Sequence, residues 1–389
     1  MGRLAAATVD EQGRIRTVEV SGLAPVSFHY DSQGRPVTIT RGTGSSTRIT
    51  TFSYNSGGYL DTRSNPLSQD TRLEYDQAGR TIRQILTDLR EIGLGYDANG
   101  NRTSVTPPDV PDHTFSYSAV NLVEAYNPPL LGPVSTPSQY EYNLDKQLSR
   151  TIRPDGKTIQ FDYNSKGKLD RVTLPDSKTI EYTYDDAKGQ LVTLTTTGGE
   201  SVSYSHDGPL LLNTTWAGTI HGSVSREYNS NFWITSRRVN GGSAITCQYD
   251  SDGLLTRAGN LVVSRNAQNG LITGATLGSV NDAWSYNAFG EVVDYRTSYN
   301  ASENCSAQFT RDNLGRITGK TETLDGATHL YNYGYDATGR LISVKKDSAI
   351  ISAYSYDSNG NRLSHNTVTG MYDAQDRLIT YGNNSYTYT

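Results

Sequence analysis

The sequence predicts an all-β protein made of tandem antiparallel hairpins, and two observations support this fold class. First, the chain of 389 residues contains 27 Tyr and 37 Gly, while apolar residues make up 35% of it. Tyrosine favours half-buried strand surfaces and glycine favours turns. The composition therefore indicates many short strands with little aliphatic material for a thick core. Second, the sequence repeats itself about every 21 residues, which is the signature of a repeat architecture.

The repeat is marked by the pattern Tyr-Asp/Asn-x-x-Gly. It has eighteen starts, and nine of the seventeen intervals between successive starts are 21 residues long. The complete pattern begins at Tyr30, Tyr54, Tyr75, Tyr96, Tyr163, Tyr249, Tyr286, Tyr335 and Tyr356. Weaker copies begin at Val9, Tyr117, Tyr142, Tyr184, Tyr204, Tyr228, Arg265, Arg311 and Tyr372. This regularity predicts a single array over residues 1–389, which we expect to end within a repeat.

The repeat Tyr333–Val344 shows how each copy predicts one hairpin. Tyr333 and Tyr335 are two residues apart, so on a strand their side chains share one face. The carboxylate of Asp336 can accept a hydrogen bond from the backbone N–H two residues on, which opens a turn. Gly339 suits a left-handed position, and a type I turn followed by such a glycine is a common hairpin connection. A second strand follows the glycine.

A single hairpin is only marginally stable in water, so successive hairpins are expected to pair and to stabilise one another. The result would be a sheet that extends copy by copy. A parallel β-solenoid, whose rungs can also be about 20 residues long, is the alternative fold. The Asp-x-x-Gly turn favours the antiparallel arrangement, because it is a hairpin turn.

Three segments interrupt this regular picture. Thr81–Ile92 has a helix-like spacing of apolar residues, although the repeats on either side favour strand, turn and strand. Proline-rich segments near residues 106–111 and 127–137 are predicted to be loop insertions that leave the sheet, because proline cannot donate a hydrogen bond to a ladder.

Charge and cysteine content exclude several classes of function. A net charge of −5 argues against non-specific binding to nucleic acid, which needs a concentrated basic surface. Cys247 and Cys305 show no metal-ligand spacing, and two buried free thiols are the favoured interpretation. No apolar stretch is long enough for a signal peptide or a membrane span. Any export signal is therefore expected to lie outside this chain.

No catalytic, cofactor-binding or metal residue is predicted, and we expect no enzyme activity. The runs that begin at Asp97 and Asp357 resemble the start of a calcium loop, but their glycine falls at position four and no glutamate follows at position twelve. A turn is therefore favoured over a metal site. Ser205–Asp207 contains Ser, His and Asp in succession, and adjacent residues do not converge as a catalytic triad requires.

Two side-chain series allow a binding interpretation beside a structural one. The tyrosines could stack on sugars or on an unfolded guest chain, but cross-strand packing is favoured. An arginine that follows the turn glycine could bind anionic glycans, but a ladder of charges with Asp and Glu is favoured. These arginines are Arg35, Arg80, Arg316 and Arg340.

The unit Tyr-Asp-x-x-Gly-Arg-Leu at Tyr335–Leu341 resembles the YD repeat of bacterial Rhs proteins, of the C subunits of insecticidal toxin complexes and of animal teneurins. The variant Tyr-Asp-x-Asn-Gly-Asn-Arg, present at Tyr96 and Tyr356, is typical of bacterial members. The resemblance covers essentially the whole chain. It implies a continuous antiparallel spiral sheet that forms part of a hollow β-shell. The structural repeat positions it implies are Tyr30, Asp31, Gly34, Tyr75, Asp76, Gly79, Tyr96, Asp97, Gly100, Tyr249, Asp250, Gly253, Tyr335, Asp336, Gly339, Tyr356, Asp357 and Gly360.

The resemblance also implies a function. In the bacterial members the shell encloses a C-terminal toxin domain, which is absent from this chain, so we expect a structural wall segment of a polymorphic toxin. Its partners would be the rest of the parent shell and the enclosed toxin, with a capping subunit or a cell-surface glycan in addition. The protein would be bacterial and secreted or held at the cell surface. The alternative is a teneurin-like module for cell-surface adhesion or carbohydrate binding. No Asp-Pro dipeptide of the family's self-cleaving core occurs, so self-cleavage is not expected.

Overall fold

The computed structural model describes residues 3–44, 46–131 and 137–388, and these residues form β-strands and turns without any helix. The first strands are β1 (Ala5–Val9), β2 (Ile15–Val20), β3 (Val26–Tyr30), β4 (Pro36–Arg41), β5 (Arg48–Tyr54), β6 (Leu60–Ser64), β7 (Asp70–Tyr75), β8 (Thr81–Ile85), β9 (Glu91–Tyr96) and β10 (Arg102–Thr106). They are followed by β11 (His113–Tyr117), β12 (Val123–Asn127), β13 (Ser138–Tyr142), β14 (Leu148–Ile152), β15 (Thr158–Tyr163), β16 (Leu169–Thr173), β17 (Thr179–Tyr184), β18 (Leu191–Thr196), β19 (Ser201–Asp207), β20 (Leu210–Ala217), β21 (Gly222–Tyr228), β22 (Ile234–Val239), β23 (Ile245–Tyr249) and β24 (Leu255–Ala258). The last are β25 (Leu261–Arg265), β26 (Ile272–Leu277), β27 (Val280–Tyr286), β28 (Val292–Tyr299), β29 (Ser302–Arg311), β30 (Ile317–Leu324), β31 (Ala327–Tyr335), β32 (Leu341–Lys346), β33 (Ala349–Tyr356), β34 (Arg362–His365), β35 (Val368–Tyr372), β36 (Leu378–Tyr381) and β37 (Asn384–Ser385).

The described residues group into two compact units. Unit 1 consists of Met1–Tyr96, Ser104–Asp112 and Leu261–Tyr388, and unit 2 consists mainly of Asp97–Thr103 and His113–Asn260. In unit 1 each strand from β1 to β8 pairs with the next one, and so does each strand from β25 to β36. In unit 2 the strands from β11 to β24 pair in the same way. All these ladders are antiparallel, which confirms the predicted fold class and shows that the parallel solenoid was wrong.

The two faces of the sheet differ in chemistry. Residues directly opposite each other in an antiparallel pair share a face, so Phe28 opposite Ile39 lies on one face and His29 opposite Thr38 lies on the other. The first face, which carries the repeat tyrosines and their aromatic and aliphatic neighbours, is called the aromatic face. The second carries Thr, Ser and charged side chains and is called the polar face. Its ion pairs include Glu74 with Arg83.

This sheet has almost no interior. The solvent-accessible surface is 23146 Å², whereas a compact monomer of 42.6 kDa exposes about 15,000 Å². Within the described part of the chain, the buried hydrophobic core consists of Val172 and Ala307. Stability therefore comes from ladders and from contacts between neighbouring repeats, as expected for a repeat protein.

The structure settles two of the local expectations. Thr81–Ile92 forms β8, a turn and the start of β9, so the helix alternative was wrong. The weak copy at Tyr204 differs from the pattern, because β19 continues through Asp207 and the chain turns at Gly208 and Pro209 instead. Of the two proline-rich segments, residues 107–112 lie between strands. Residues 132–136 of the second segment fall outside the described residues.

Candidate functional site

The Asp-x-x-Gly turn is built from backbone hydrogen bonds, as Asp336 shows. The N–H of Gly339 donates to the carbonyl of Asp336 at 3.0 Å, and the N–H of Asp336 donates to the carbonyl of Arg340 at 3.0 Å. The Oδ1 atom of Asp336 accepts from the N–H groups of Thr338 and Arg340, at 3.0 and 2.9 Å. Gly339 has φ of 90°, a left-handed conformation that a Cβ atom would disfavour. Aspartate and glycine at these positions therefore follow from the turn geometry.

The arginine after the turn glycine connects one repeat to the next. The Nε atom of Arg340 donates to Oδ2 of Asp336 at 2.6 Å. Its guanidinium lies 5.0 Å from the ring centre of Tyr356 in the following repeat, within range for a cation–π interaction. Burial would raise the pKa of Asp336, but hydrogen bonds from Arg340 and Thr338 outweigh it and lower that pKa from 3.8 to about 2. This carboxylate is therefore held ionised by its own turn.

The repeat tyrosine completes the same connection. The hydroxyl of Tyr356 donates to the backbone carbonyl of Leu341, the residue that follows Arg340, at 2.8 Å. Among the described residues, fourteen tyrosines make the equivalent bond to an earlier hairpin: Tyr30, Tyr54, Tyr75, Tyr117, Tyr142, Tyr163, Tyr184, Tyr228, Tyr249, Tyr286, Tyr335, Tyr356, Tyr372 and Tyr388. Each residue of the Tyr-Asp-x-x-Gly-Arg pattern thus closes a turn or links it to a neighbouring repeat.

The structure places the expected repeat positions at six separate turns and does not gather them into one pocket. Gly34, Gly79, Gly100, Gly253, Gly339 and Gly360 all have φ between 78° and 92°. At the two runs that resemble a calcium loop, the carboxylate of the turn aspartate accepts from its own turn. Asn101 donates to both Oδ atoms of Asp97, and Asn361 does the same to Asp357.

An arginine takes over the tyrosine's connection at one weak copy. Arg311 stands where the pattern has tyrosine, and its guanidinium donates to the backbone carbonyl of Val292 at 3.1 Å. Val292 is the residue to which the consensus tyrosine hydroxyl would donate, five positions after the turn residue Asn287. The connection between neighbouring repeats is therefore kept although the side chain differs.

Unit 1 contains a second kind of connection, between parts of the chain that are far apart in sequence. We call the strand ends joined by turns such as Asp336–Arg340 the YD-turn edge. The strand ends joined by the loops between repeats, such as the loop between Arg41 and Arg48, form the return-loop edge. In unit 1 the YD-turn edge of the C-terminal repeats lies against the return-loop edge of the N-terminal repeats. We call this contact the seam.

The seam is defined by hydrogen bonds between residues 243 to 268 positions apart. Its backbone bond joins the N–H of Ala24 to the carbonyl of Ala288 at 2.6 Å. The side-chain bonds of the seam join Arg3 to Asn266, Arg41 to Phe289, Arg48 to Glu291, Thr87 to Ala337, Arg90 to Ser358 and Ser358 to Asp109. The near-constant separation shows that the chain meets itself again after about twelve repeats.

The strongest seam contact is an ion pair between Arg48 and Glu291. The guanidinium donates to both carboxylate oxygens, at 2.6 and 2.8 Å, and the two side chains are 12% and 21% exposed. Arg48 also lies 3.9 Å from the ring centre of Phe289, and Asn287 donates to Glu291 at 2.8 Å. The hydrogen bond from Arg48 lowers the pKa of Glu291 and outweighs the effect of burial. A bidentate pair with little exposure is the strong form of a salt bridge.

This seam was not predicted from the sequence, although the sequence contains one signal of it. In the turn Asn287–Glu291 the position after glycine, which is arginine in the consensus, holds glutamate. This change removes the usual pair within the turn and leaves a carboxylate for Arg48. A reversed charge at a repeat position is the kind of departure that indicates a distant partner.

Side-chain clusters for catalysis or metal binding do not emerge from the described residues. No group of three or more His, Cys, Asp and Glu residues there could hold a metal ion. Cys247 and Cys305 are free thiols, but both are only partly buried, so the expectation of buried thiols was wrong; the sheet has almost no interior in which to bury them. Ser205 and His206 are consecutive residues of β19, and antiparallel pairing places them on opposite faces. As for membranes, the described residues include no helix that is both long and apolar enough to cross one.

These features define a tandem YD-hairpin sheet, and comparison with known proteins gives the family. The sequence model of the Teneurin YD-shell family matches residues 2–389, so the chain belongs to that family. It is 26% identical over 400 residues to Teneurin-4 of Homo sapiens and 25% identical over 393 residues to Teneurin-3 of Danio rerio. These matches cover 92% and 95% of this chain. The chain spans 14% of the length of either relative.

Solved structures with the same fold come from toxin complexes. The crystal structure of TcdB2-TccC3-TEV has a TM-score of 0.68 at 12% identity, over 94% of this chain and 25% of that one. The Photorhabdus luminescens Tc holotoxin pore has a TM-score of 0.61 at 12% identity, over 96% of this chain and 24% of that one. At this level of identity the similarity establishes the YD-shell fold.

Proposed function

We propose that this chain is a wall segment of a shell that encloses a toxin domain, as in toxin complexes of the Rhs type. The seam is the observation that carries the proposal. The seam joins repeats about 250 residues apart although the sheet has no thick core for such a contact to complete. Its effect is to hold two passes of the sheet edge to edge, which closes the gap between them, as the wall of a shell requires. The fold shared with TcdB2-TccC3 supports the same role.

The proposed mechanism is steric and needs no catalytic residue. Backbone ladders and the YD connections keep the sheet continuous along the chain, while the seam closes it across the chain. Cytosolic proteins of the producing cell would thus be kept apart from the enclosed domain. The partners would be the rest of the shell and its cargo, and the place of action would be outside the producing cell.

The proposal is tested in two steps on the parent protein. The gene that encodes this chain should continue past Thr389 into a shell-terminating core motif and a variable C-terminal domain. In limited proteolysis that domain should then be protected, and the variant Glu291→Arg, which places two cations together at the seam, should expose it. Arg83→Ala, on the exposed polar face, is the matched control and should leave it protected. A gene without such a domain, or a domain cleaved equally in all three proteins, would contradict the proposal.

Adhesion at a cell surface is a second candidate, because the relatives found by sequence are teneurins, such as Teneurin-4 of Homo sapiens at 26% identity. A glycan or protein ligand would then bind to an outer surface of the sheet. A glycan array and a cell-binding assay with the intact parent protein test this candidate. If neither shows binding above that of a heat-unfolded control, adhesion is excluded in favour of the wall.

A further inference from the structure

Two of the turns that follow a repeat tyrosine, which we call YD turns, share the sequence Asp-x-Asn-Gly-Asn. They are Asp97–Asn101 in unit 2 and Asp357–Asn361 in unit 1. Both have asparagine at the position after glycine, where Arg340 reaches the ring of Tyr356 in the next repeat. The asparagine side chain is much shorter. It can connect to the next repeat only if that repeat supplies a side chain that reaches back.

In unit 2 the next YD turn, Ser118–Leu122, supplies this side chain. Oδ1 of Asn121 accepts hydrogen bonds from Nδ2 of Asn99 at 3.2 Å and from Nδ2 of Asn101 at 2.9 Å. Nδ2 of Asn101 also donates to Oδ2 of Asp97 at 2.8 Å. The two hydrogens of the Asn101 amide are therefore both used, one within its own turn and one towards the next. We call the two asparagines of such a turn the amide clamp.

The same arrangement occurs in unit 1, where the next YD turn is Asp373–Arg377. Nδ2 of Asn359 lies 3.0 and 3.3 Å from the two carboxylate oxygens of Asp376. Nδ2 of Asn361 donates to Oδ1 of Asp376 at 2.6 Å and to Oδ2 of Asp357 at 2.9 Å. Two turns that are far apart in the sequence thus hold the following turn by the same hydrogen bonds.

The clamped residue stands at the fourth position of its turn, where glycine is usual. Asn121 and Asp376 have φ of 61° and 58°, a left-handed conformation that is unfavourable for a residue with a Cβ atom. Among the five-residue YD turns of the described part of the chain, two others lack glycine at this position and have Lys146 and Phe232 instead. Neither of these follows an Asp-x-Asn-Gly-Asn turn. In this set of turns, Asn or Asp at the fourth position therefore occurs directly after an amide clamp and nowhere else.

We propose that an Asp-x-Asn-Gly-Asn turn selects the turn that follows it, by requiring a side-chain oxygen at the fourth position of that turn. The amide clamp takes the place of the arginine–tyrosine connection between repeats, and its hydrogen bonds offset the left-handed conformation of the clamped residue. Asparagine and aspartate fit because both carry an oxygen on a short side chain and adopt this conformation more readily than other residues with a Cβ atom. The inference concerns the order in which repeats can follow one another, and it holds whether or not the wall encloses a cargo.

Amide hydrogen exchange of the whole chain tests the proposal at the clamp of unit 2. The probe is the N–H of Ser118, which donates to the carbonyl of Leu122 at 2.8 Å and closes the clamped turn. Asn121→Ala keeps a Cβ atom but removes the acceptor of two hydrogen bonds, so exchange of the probe should become about tenfold faster. Asn121→Asp reproduces the chemistry found at Asp376 and should exchange like the wild type.

A double-mutant cycle separates the clamp from the general preference of asparagine for a left-handed conformation. Asn99→Ala/Asn101→Ala removes both donors and leaves the clamped turn unchanged in sequence. In this background Asn121→Ala should accelerate exchange of the Ser118 N–H much less than it does in the wild type. An undiminished acceleration would show that the donors do not hold Asn121, and this overturns the proposal.

Lys146→Ala is the matched control. Lys146 stands at the fourth position of the following YD turn with φ of 62°, and no amide clamp precedes it. The N–H of Asn143, which donates to the carbonyl of Gln147 at 2.9 Å, should therefore exchange at the wild-type rate in this variant. The proposal is also overturned if Lys146→Ala accelerates exchange in its turn as much as Asn121→Ala does, or if Asn121→Asp exchanges as fast as Asn121→Ala.

Discussion

Removal of Arg48 tests the seam most sharply. Arg48→Met keeps an apolar stem under Phe289 but removes two hydrogen bonds of 2.6 and 2.8 Å and leaves Glu291, only 21% exposed, without its main counter-charge. Loss of one partner costs about 3–5 kcal/mol for a fully buried pair. Because this pair retains some solvent contact, we expect a loss of about 2–3 kcal/mol in the free energy of opening the seam.

Amide hydrogen exchange measures this opening locally, which suits a repeat protein that need not unfold in one step. The N–H groups of Ala24 and Gly42 lie at the seam, and both are hydrogen-bonded. Their exchange should accelerate roughly 30- to 150-fold in Arg48→Met, because about 1.4 kcal/mol corresponds to a factor of ten. Glu291→Gln should act similarly, and the double variant should show a coupling energy of about 2 kcal/mol.

The matched control is Arg83→Ala. Arg83 pairs with Glu74 and Glu91 on the polar face at 3.4 and 3.5 Å, and all three side chains are about half exposed. Exposed pairs of this kind contribute about 0–1 kcal/mol, so exchange in β8 should change little. A coupling energy of Arg48 and Glu291 near zero, or an equal acceleration of exchange in Arg83→Ala, would show that this ion pair does not hold the seam closed.

Three further predictions concern single repeats. Tyr335→Phe removes the hydrogen bond from the tyrosine hydroxyl to the preceding repeat, so the local free energy of opening measured by hydrogen exchange should fall by about 1 kcal/mol. Tyr299→Phe is the control and should have no effect, because Tyr299 is more than half exposed. Phe232 is 69% exposed and has φ of 61°, a left-handed conformation that is unfavourable for a residue with a Cβ atom. Phe232→Gly should therefore raise the free energy of unfolding in denaturant by up to about 1 kcal/mol, and a lower free energy of unfolding would contradict this expectation. The folded-state pKa of Asp336, about 2, lies below the usual 3.8. Its carboxylate therefore stabilises the turn above about pH 4, and this stabilisation is lost as the pH falls towards 2. Asp336→Asn should flatten this part of the pH profile of stability, and an unchanged profile would show that Arg340 does not hold the charge.

The fold was predictable from the sequence because the information is local. Asp336 and Gly339 determine their turn through bonds within five residues, and the alternation of Tyr333 and Tyr335 determines the face. The weak copy at Tyr204 was predicted less well, since Gly208 and Pro209 provide a competing turn a few residues later. Helix-like spacing in Thr81–Ile92 was overridden by pairing with the adjacent strands.

The candidate site was predictable only in part, for a physical reason. The sequence predicted that Arg340 would pair with an acidic side chain, as it does with Asp336. It did not predict that the guanidinium would lie over Tyr356, because that position depends on the distance between one hairpin and the next. Arg48 and Glu291 are 243 residues apart, so no local pattern relates them. Their contact follows from the number of repeats after which the chain meets itself, which depends on strand twist accumulated over the whole array.

In unit 1 the YD-turn edge of later repeats lies against the return-loop edge of repeats about 250 residues earlier. Disulfide cross-linking between Ala24→Cys and Ala288→Cys tests it directly, in a background where Cys247 and Cys305 are replaced by alanine. The backbone atoms of these two positions are 2.6 Å apart, so mild oxidation should join them efficiently, while the pair Ala24→Cys and Ala353→Cys, near a later repeat, should remain reduced. Failure of the first pair to cross-link, or equal cross-linking of both pairs, would show that these two edges do not meet as described.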